Sequence, residues 1–153
     1  ASHIICTIPS LLGQDQPGDW HGCLNAVFAV SGPTFKRPII GLLPEAQAVT
    51  NFHFMEDVQG EQGRGKLNAT AVLKAGEDVG ARIEAMRSDL QSAGLQVGDA
   101  LWKAAIPRAL PALREVRPAM DAPQSSEGLF LAGDATAAPS LDAALRSGRV
   151  AAE

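Results

Sequence analysis

The sequence is poor in aromatic residues, with no tyrosine, five phenylalanines and two tryptophans in 153 residues. It also lacks a basic surface, because 13 lysines and arginines stand against 17 aspartates and glutamates, for a net charge of -4. Nucleic-acid binders need clustered positive charge to meet phosphates, so this balance argues against that class. No run in these residues has the length and apolarity of a transmembrane helix, and we expect no membrane-spanning segment.

Cysteine and histidine are scarce, and their spacing matches no metal-binding pattern. The two cysteines, Cys6 and Cys23, and the three histidines are dispersed along the chain, so no metal site is predicted. The cysteines allow either a disulfide or two buried thiols. We favour thiols in a reducing cytoplasm, with peripheral contact to a membrane as the alternative location.

An apolar fraction of 46% is typical of a packed globular chain. One helix is predicted over Glu77–Ala93, where Val79, Ile83, Met86 and Leu90 form a single apolar stripe and Gly94 follows the end. Glu56–Gly65 has the glycine content of a flexible hairpin loop. Pro107, Pro111 and Pro118 are expected to interrupt the segment that runs to Glu127. Strands are predicted at His3–Ile8, Leu24–Val30, Ile39–Leu43, Val49–Met55, Lys66–Leu73, Leu101–Ile106 and Leu129–Ala132.

The C-terminal segment carries most of the chemical information. The apolar strand Leu129–Ala132 runs into Gly133 and Asp134, and a helix opens shortly afterwards at Pro139 and Ser140. A carboxylate at a strand end can accept hydrogen bonds from sugar hydroxyls. The free N–H groups of a helix's first turn favour negative charge. This order of elements is typical of a place where a polar cofactor binds.

The segment resembles the closing motif of the FAD-dependent oxidoreductases that include phytoene desaturases, protoporphyrinogen oxidases and flavin-containing amine oxidases. The matching residues are Ala132-Gly133-Asp134, Pro139-Ser140, Ala143-Ala144-Leu145, Ser147-Gly148-Arg149 and Ala151-Ala152-Glu153. Many members have glycine where this chain has Ala143. The likeness is close over these residues and loose over the rest of the chain.

The resemblance implies a role for each of several residues. Asp134 would accept a hydrogen bond from a ribityl hydroxyl of FAD, and Gly133 would let the cofactor pass close to the backbone. Ser140 and Leu141 would direct the helix N-terminus at the flavin, with Ala144 packed closely beside it. Trp102, in a Trp-x-x-x-Ile-Pro step, would lie near the substrate. The alternative for Asp134 is that it only caps the following turn, and for Trp102 that it belongs to the core.

The resemblance also implies an organisation. We expect an α+β chain that is a fragment of a Rossmann-like FAD-binding protein, with His3–Ile8 buried and paired with Leu129–Ala132. Residues 1–10 and 127–153 would be pieces of the FAD domain. Residues 11–126 would form a substrate domain with an antiparallel sheet and one packing helix. The missing N-terminal half would hold the rest of FAD, so this fragment alone is expected to be empty and inactive, with its cofactor-facing surface covered by a second copy in a homodimer.

The function implied is dehydrogenation or desaturation of an apolar, isoprenoid-like small molecule by hydride transfer to FAD. No catalytic residue can be assigned from the sequence. Amine oxidation within the same family is the runner-up, disfavoured because no aromatic pair lies near Asp134. A non-catalytic α/β domain for binding or assembly, or another nucleotide-binding α/β protein, are the remaining alternatives.

Overall fold

A computed structural model describes residues 4–7, 20–35, 38–111, 124–126, 128–133, 136 and 140–152. The chain divides into two units, Gly22–Pro107 and the combination of Ala1–His21 with Arg108–Glu153. The strands are β1 (Ile4–Cys6), β2 (Trp20–Ser31), β3 (Asn51–Phe54), β4 (Lys66–Leu73), β5 (Gln96–Pro111), β6 (Gln124–Ser126) and β7 (Leu129–Leu131), and the helices are α1 (Glu56–Gln59), α2 (Val79–Ser92) and α3 (Leu141–Ala152), with a 3-10 turn at Gly60–Gly63.

The chain is α+β, as predicted, and the larger unit contains an antiparallel sheet in the order β3-β4-β2-β5. Strand β4 alternates strictly between buried and half-buried residues, since successive side chains of a strand point to opposite faces. Its buried set is Leu67, Ala69, Ala71 and Leu73, which joins one core with Ile83, Met86 and Leu90 of α2. The predicted apolar stripe of this helix is therefore confirmed as a core face.

Helix α2 begins later than Glu77 because Asp78 is its N-cap. The Asp78 carboxylate accepts a hydrogen bond from Ala81 N at 2.7 Å, which satisfies one of the free donors of the first turn. Glu77 instead accepts from Lys74 N at 3.0 Å, outside the helix. Gly94, with a φ of +85°, follows the helix end.

Asp89 of α2 joins the helix to a distant loop. Its Oδ2 accepts from Ala48 N at 2.6 Å and from Val49 N at 3.0 Å. Ala48 and Val49 are only 4% and 5% exposed and belong to the core. One carboxylate thus satisfies two backbone donors that water does not reach easily.

Three of the predicted elements differ from the structure. Strand β5 continues through Pro107 to Pro111. It lies at the edge of the sheet, where a proline can be accommodated because its missing N–H need not interrupt the hydrogen bonds to the neighbouring strand β2. The Glu56–Gly65 segment is not a loop but contains α1 and the 3-10 turn. Each is only four residues long, which is too short to show a helical repeat of apolar residues in the sequence. At Ile39–Leu43 there is no strand, only a single bridge between Gly41 and Phe52.

The smaller unit contains a three-stranded sheet in the order β1-β7-β6. Strands β1 and β7 are parallel, with Ile4 opposite Leu129 and Cys6 opposite Leu131, which confirms their predicted pairing. The predicted burial of β1 is wrong, since Ile4 and Ile5 are 63% and 44% exposed. The physical reason is that no described helix or sheet of this unit covers both side chains.

Cys6 and Cys23 form no disulfide, and both are half-buried rather than buried. Among the described residues, no three histidine, cysteine, aspartate or glutamate side chains group together as a metal site would require. Within that same part of the chain, every helix is too short or too polar to cross a membrane.

Candidate functional site

The turn that follows β7 is held in place by the parallel strand pair. Ala132 N donates to Cys6 O at 3.0 Å, so β7 remains joined to β1 up to the start of the turn. Gly133 then adopts a φ of +126°, a conformation that other residues rarely take up. A Cβ atom there would lie 3.7 Å from Thr7 O, an ordinary contact. Glycine is therefore required here by backbone conformation, in addition to any need for a close approach by a ligand.

Ser147 of α3 fastens this turn to the helix. Its Oγ accepts from Gly133 N at 2.8 Å, and it lies 3.1 Å from Gly133 O and 3.0 Å from Ala144 O, to which it can donate. Ser147 is only 7% exposed. Thr136 adds two further donors to Gly133 O, from its N at 3.2 Å and its Oγ1 at 2.7 Å.

In the sequence, Ser147 stands out only as one residue of the closing motif, with no role of its own assigned. A signal for its role was present in the spacing. Ser147 lies two helical turns after Ser140, so the two hydroxyls share one side of the helix. This is the side that faces the turn, where a hydroxyl can satisfy the backbone of Gly133.

Ser147→Ala is expected to lower the free energy of unfolding by about 1–3 kcal/mol, because Gly133 N would lose its partner in a poorly hydrated position. Urea denaturation followed by circular dichroism measures the change. Ser88→Ala is the matched control, since Ser88 is an exposed serine on α2. Equal stability of the two variants would show that the hydrogen bonds of Ser147 do not hold the turn.

Asp134, the residue predicted to accept a hydrogen bond from the ribityl chain of FAD, lies outside the described residues, as does Pro139. The structure fixes the positions immediately before this segment, at Gly133, and after it, at Ser140.

Ser140 is the N-cap of α3. Its Oγ accepts from Ala143 N at 3.1 Å and its carbonyl accepts from Ala144 N at 3.1 Å. The hydroxyl thus accepts one hydrogen bond within the helix, and its own O–H remains able to donate to a ligand.

The first turns of α3 present apolar side chains to solvent. Leu141 is 76% exposed and Leu145 is 66% exposed, and residues four apart lie on one side of a helix. Ala143 faces the opposite way and is buried, while Ala144 is half-buried. The predicted residues Gly133, Ser140, Leu141 and Ala144 therefore belong to one local structure, in which Leu141 points outward.

The larger unit has a second candidate surface, on the sheet face turned away from α2. We call it the polar face; its residues are Asn25, Asn51, His53, Asn68 and Thr70. The strand register places Asn51, Thr70 and Asn25 in one row across three strands, and His53, Asn68 and Val27 in the next. Thr70 Oγ1 donates to Asn25 Oδ1 at 2.9 Å, which ties two strands of the first row together.

A pocket of about 460 Å³ lies next to this face and contains the predicted substrate residue Trp102. It is lined by Val27, Met55, Lys66, Asn68, Leu101 and Trp102. Most of this lining is apolar, and Trp102 is 56% exposed, so its ring is accessible. Lys66 Nζ donates to Gln62 O at 2.8 Å, which restrains the lysine side chain. The pocket suits a mainly apolar molecule that can also form a hydrogen bond with Asn68 or Lys66.

No protein-family model matches the chain, and none of the curated proteins matches it either. The geometry of the described residues therefore has to carry any functional conclusion.

Proposed function

We propose that this chain is the C-terminal portion of an FAD-dependent oxidoreductase that dehydrogenates or desaturates an apolar substrate. The observation that supports this best is the parallel pairing of β1 with β7. The carboxyl ends of these strands, at Cys6 and Leu131, lie side by side, and Gly133 and Asp134 follow directly. In α/β proteins, ligands bind beyond the carboxyl ends of parallel strands and beside helix N-termini.

The residues present fit such a cofactor. Gly133 has the backbone freedom that a sharp turn beside a ligand needs, and Ser147 accepts a hydrogen bond from its N–H. Exposed Leu141 and Leu145 offer an apolar surface at the start of α3. Asp134 would accept a hydrogen bond from a ribityl hydroxyl, and the N–H groups at the start of α3 would favour negative charge. When bound, FAD supplies the acceptor for a hydride from the substrate.

The larger unit supports the substrate half of the proposal. The pocket beside Trp102 is lined mainly by apolar side chains, as an isoprenoid-like molecule would require. Asn68 provides one amide that can orient a polar end of the substrate. The indole of Trp102 adds an aromatic surface to this lining, against which an apolar substrate could pack.

The proposal is tested by expressing this chain together with its upstream coding sequence. We expect that sequence to encode a G-x-G-x-x-G turn between a strand and a helix, and the purified product to retain flavin absorbance. A product with neither the glycine turn nor bound flavin would rule the proposal out.

The 153-residue chain alone is expected to bind FAD weakly or not at all. One carboxylate and one helix end supply a few kcal/mol against an association cost of about 4–15 kcal/mol. Titration of FAD into the purified chain, followed by calorimetry, measures this. Micromolar or tighter binding would show instead that the cofactor site is complete within these residues.

A further inference from the structure

Strand β5 leaves one edge of the antiparallel sheet unpaired among the described residues. Its inner edge lies against β2, since a Cβ added at Gly98 would lie 3.6 Å from Ala29 Cβ and one at Gly22 would lie 3.2 Å from Ile106 O. Strand β5 ends the order β3-β4-β2-β5, so its outer edge meets no described strand. A row of unpaired N–H and C=O groups is a template for pairing with another strand.

Large apolar side chains of β5 are accessible on the two faces of the strand beside this edge. Leu101, Trp102 and Ile106 are 57%, 56% and 51% exposed. Proline blunts an edge because it lacks an N–H, and Pro107 does so here. The stretch able to form a regular ladder therefore extends from Gln96 to Ile106, and its midpoint is Leu101.

We propose that this edge pairs with β5 of a second copy of the chain, antiparallel and with the two-fold axis at Leu101. This proposal does not depend on the flavin function. In this register Asp99 of each copy lies opposite Lys103 of the other, so the pairing makes two cross-strand charge pairs of opposite sign. Asp99 and Lys103 are the charged residues of Gln96–Ile106, and they are equally far from its midpoint. A self-complementary patch of this kind is what a two-fold dimer requires.

Other arrangements fit the same residues less well. An in-register parallel pairing would place Asp99 beside Asp99 and Lys103 beside Lys103, which is repulsive. Asp99 is also available for a new partner, since its side chain is 92% exposed and its contact with Arg87 is 3.7 Å long. Arg87 has a shorter partner of its own in Glu84, at 3.0 Å.

The test is a charge exchange followed by sedimentation equilibrium of the 153-residue chain. The wild type is expected to show a concentration-dependent monomer–dimer equilibrium. Asp99→Lys and Lys103→Glu should each raise the dimer dissociation constant about tenfold or more, because each converts two attractive pairs into two repulsive ones. The double variant D99K/K103E restores opposite charges and should return the constant close to the wild-type value.

Glu45→Lys serves as the control, because it changes the net charge as Asp99→Lys does at an exposed position away from β5. Circular dichroism checks that the variants fold, which is expected because Asp99 and Lys103 are exposed. A monomeric wild type at all concentrations would overturn the proposal. A dimer whose dissociation constant does not change in the single variants would also overturn the proposal, since the copies would then associate through another surface. Failure of the double variant to recover the dimer would overturn it as well, since the pairing of Asp99 with Lys103 would then not hold the copies together.

Discussion

Replacing Asp89 with alanine is expected to lower the free energy of unfolding of the larger unit by about 3 kcal/mol, because hydrogen bonds to a charged group contribute about 1.5–3 kcal/mol each. The carboxylate accepts from two backbone donors, Ala48 N at 2.6 Å and Val49 N at 3.0 Å. Both residues lie in the core, so alanine would leave two poorly hydrated N–H groups without a partner. The loop that carries them would also lose its attachment to α2.

Urea denaturation followed by circular dichroism and tryptophan fluorescence measures the loss. Glu45→Ala is the matched control, because Glu45 is an exposed carboxylate outside the core and outside β5, and it should change stability by no more than about 0.5 kcal/mol. Asp89→Asn should fall between them, since it keeps an acceptor oxygen but loses the charge. Equal losses for Asp89→Ala and Glu45→Ala would show that the carboxylate of Asp89 does not stabilise the larger unit.

The sequence does not reveal the role of Asp89, and the reason is general. The partners of Asp89 are backbone N–H groups some 40 residues away along the chain, and a backbone donor leaves no mark in the sequence. Side-chain periodicity is visible, by contrast, so Lys66–Leu73 and the stripe of α2 were predicted correctly. Periodicity in the sequence indicates which face of an element is buried. Hydrogen bonds between distant segments produce no such pattern and cannot be predicted from it.

Strand β5 shows how context can reverse a local rule. Proline interrupts a strand that has neighbours on both sides, and the prolines after Ile106 therefore predicted a break. Whether a strand lies at an edge is a property of the whole sheet, which the local sequence does not contain. In the structure the edge position tolerates Pro107, and the strand is much longer than the predicted Leu101–Ile106.

The candidate sites were predictable to different degrees. The strand, glycine turn and capped helix around Gly133 follow from local patterns, and the structure contains them in that order. The pocket beside Trp102 combines residues from three strands and a turn, which only the sheet register brings together. Its lining at Lys66 and Asn68 could have been suspected, because β4 alternates strictly and its polar residues must share a face.

In the longer, flavin-bound product that we propose, Asp134→Ala is expected to weaken FAD retention about tenfold or more. A hydrogen bond from a ribityl hydroxyl to a carboxylate contributes roughly 1.5–3 kcal/mol, and each 1.4 kcal/mol is a factor of ten in affinity. Gly133, the residue before Asp134, is held without the Asp134 side chain, because Gly133 N donates to Ser147 Oγ and Gly133 O accepts from Thr136 Oγ1. The substitution should therefore remove the contact while leaving the turn in place.

Flavin absorbance after extended dialysis measures retention, and the thermal unfolding of the flavin-free protein separates lost affinity from lost folding. Asp142→Ala is the matched control: this aspartate lies in the first turn of α3, is 79% exposed and makes only a 3.7 Å ion pair with Arg146. Asp142→Ala alters the charge at the same helix N-terminus and leaves Asp134 itself unchanged. If Asp134→Ala retains as much flavin as Asp142→Ala, the carboxylate of Asp134 serves only the turn, and the cofactor assignment of this residue is wrong. If retention falls in Asp134→Ala alone, with the unfolding temperature of the flavin-free protein unchanged, then the loss is one of cofactor affinity, as expected of a carboxylate that holds the ribityl chain.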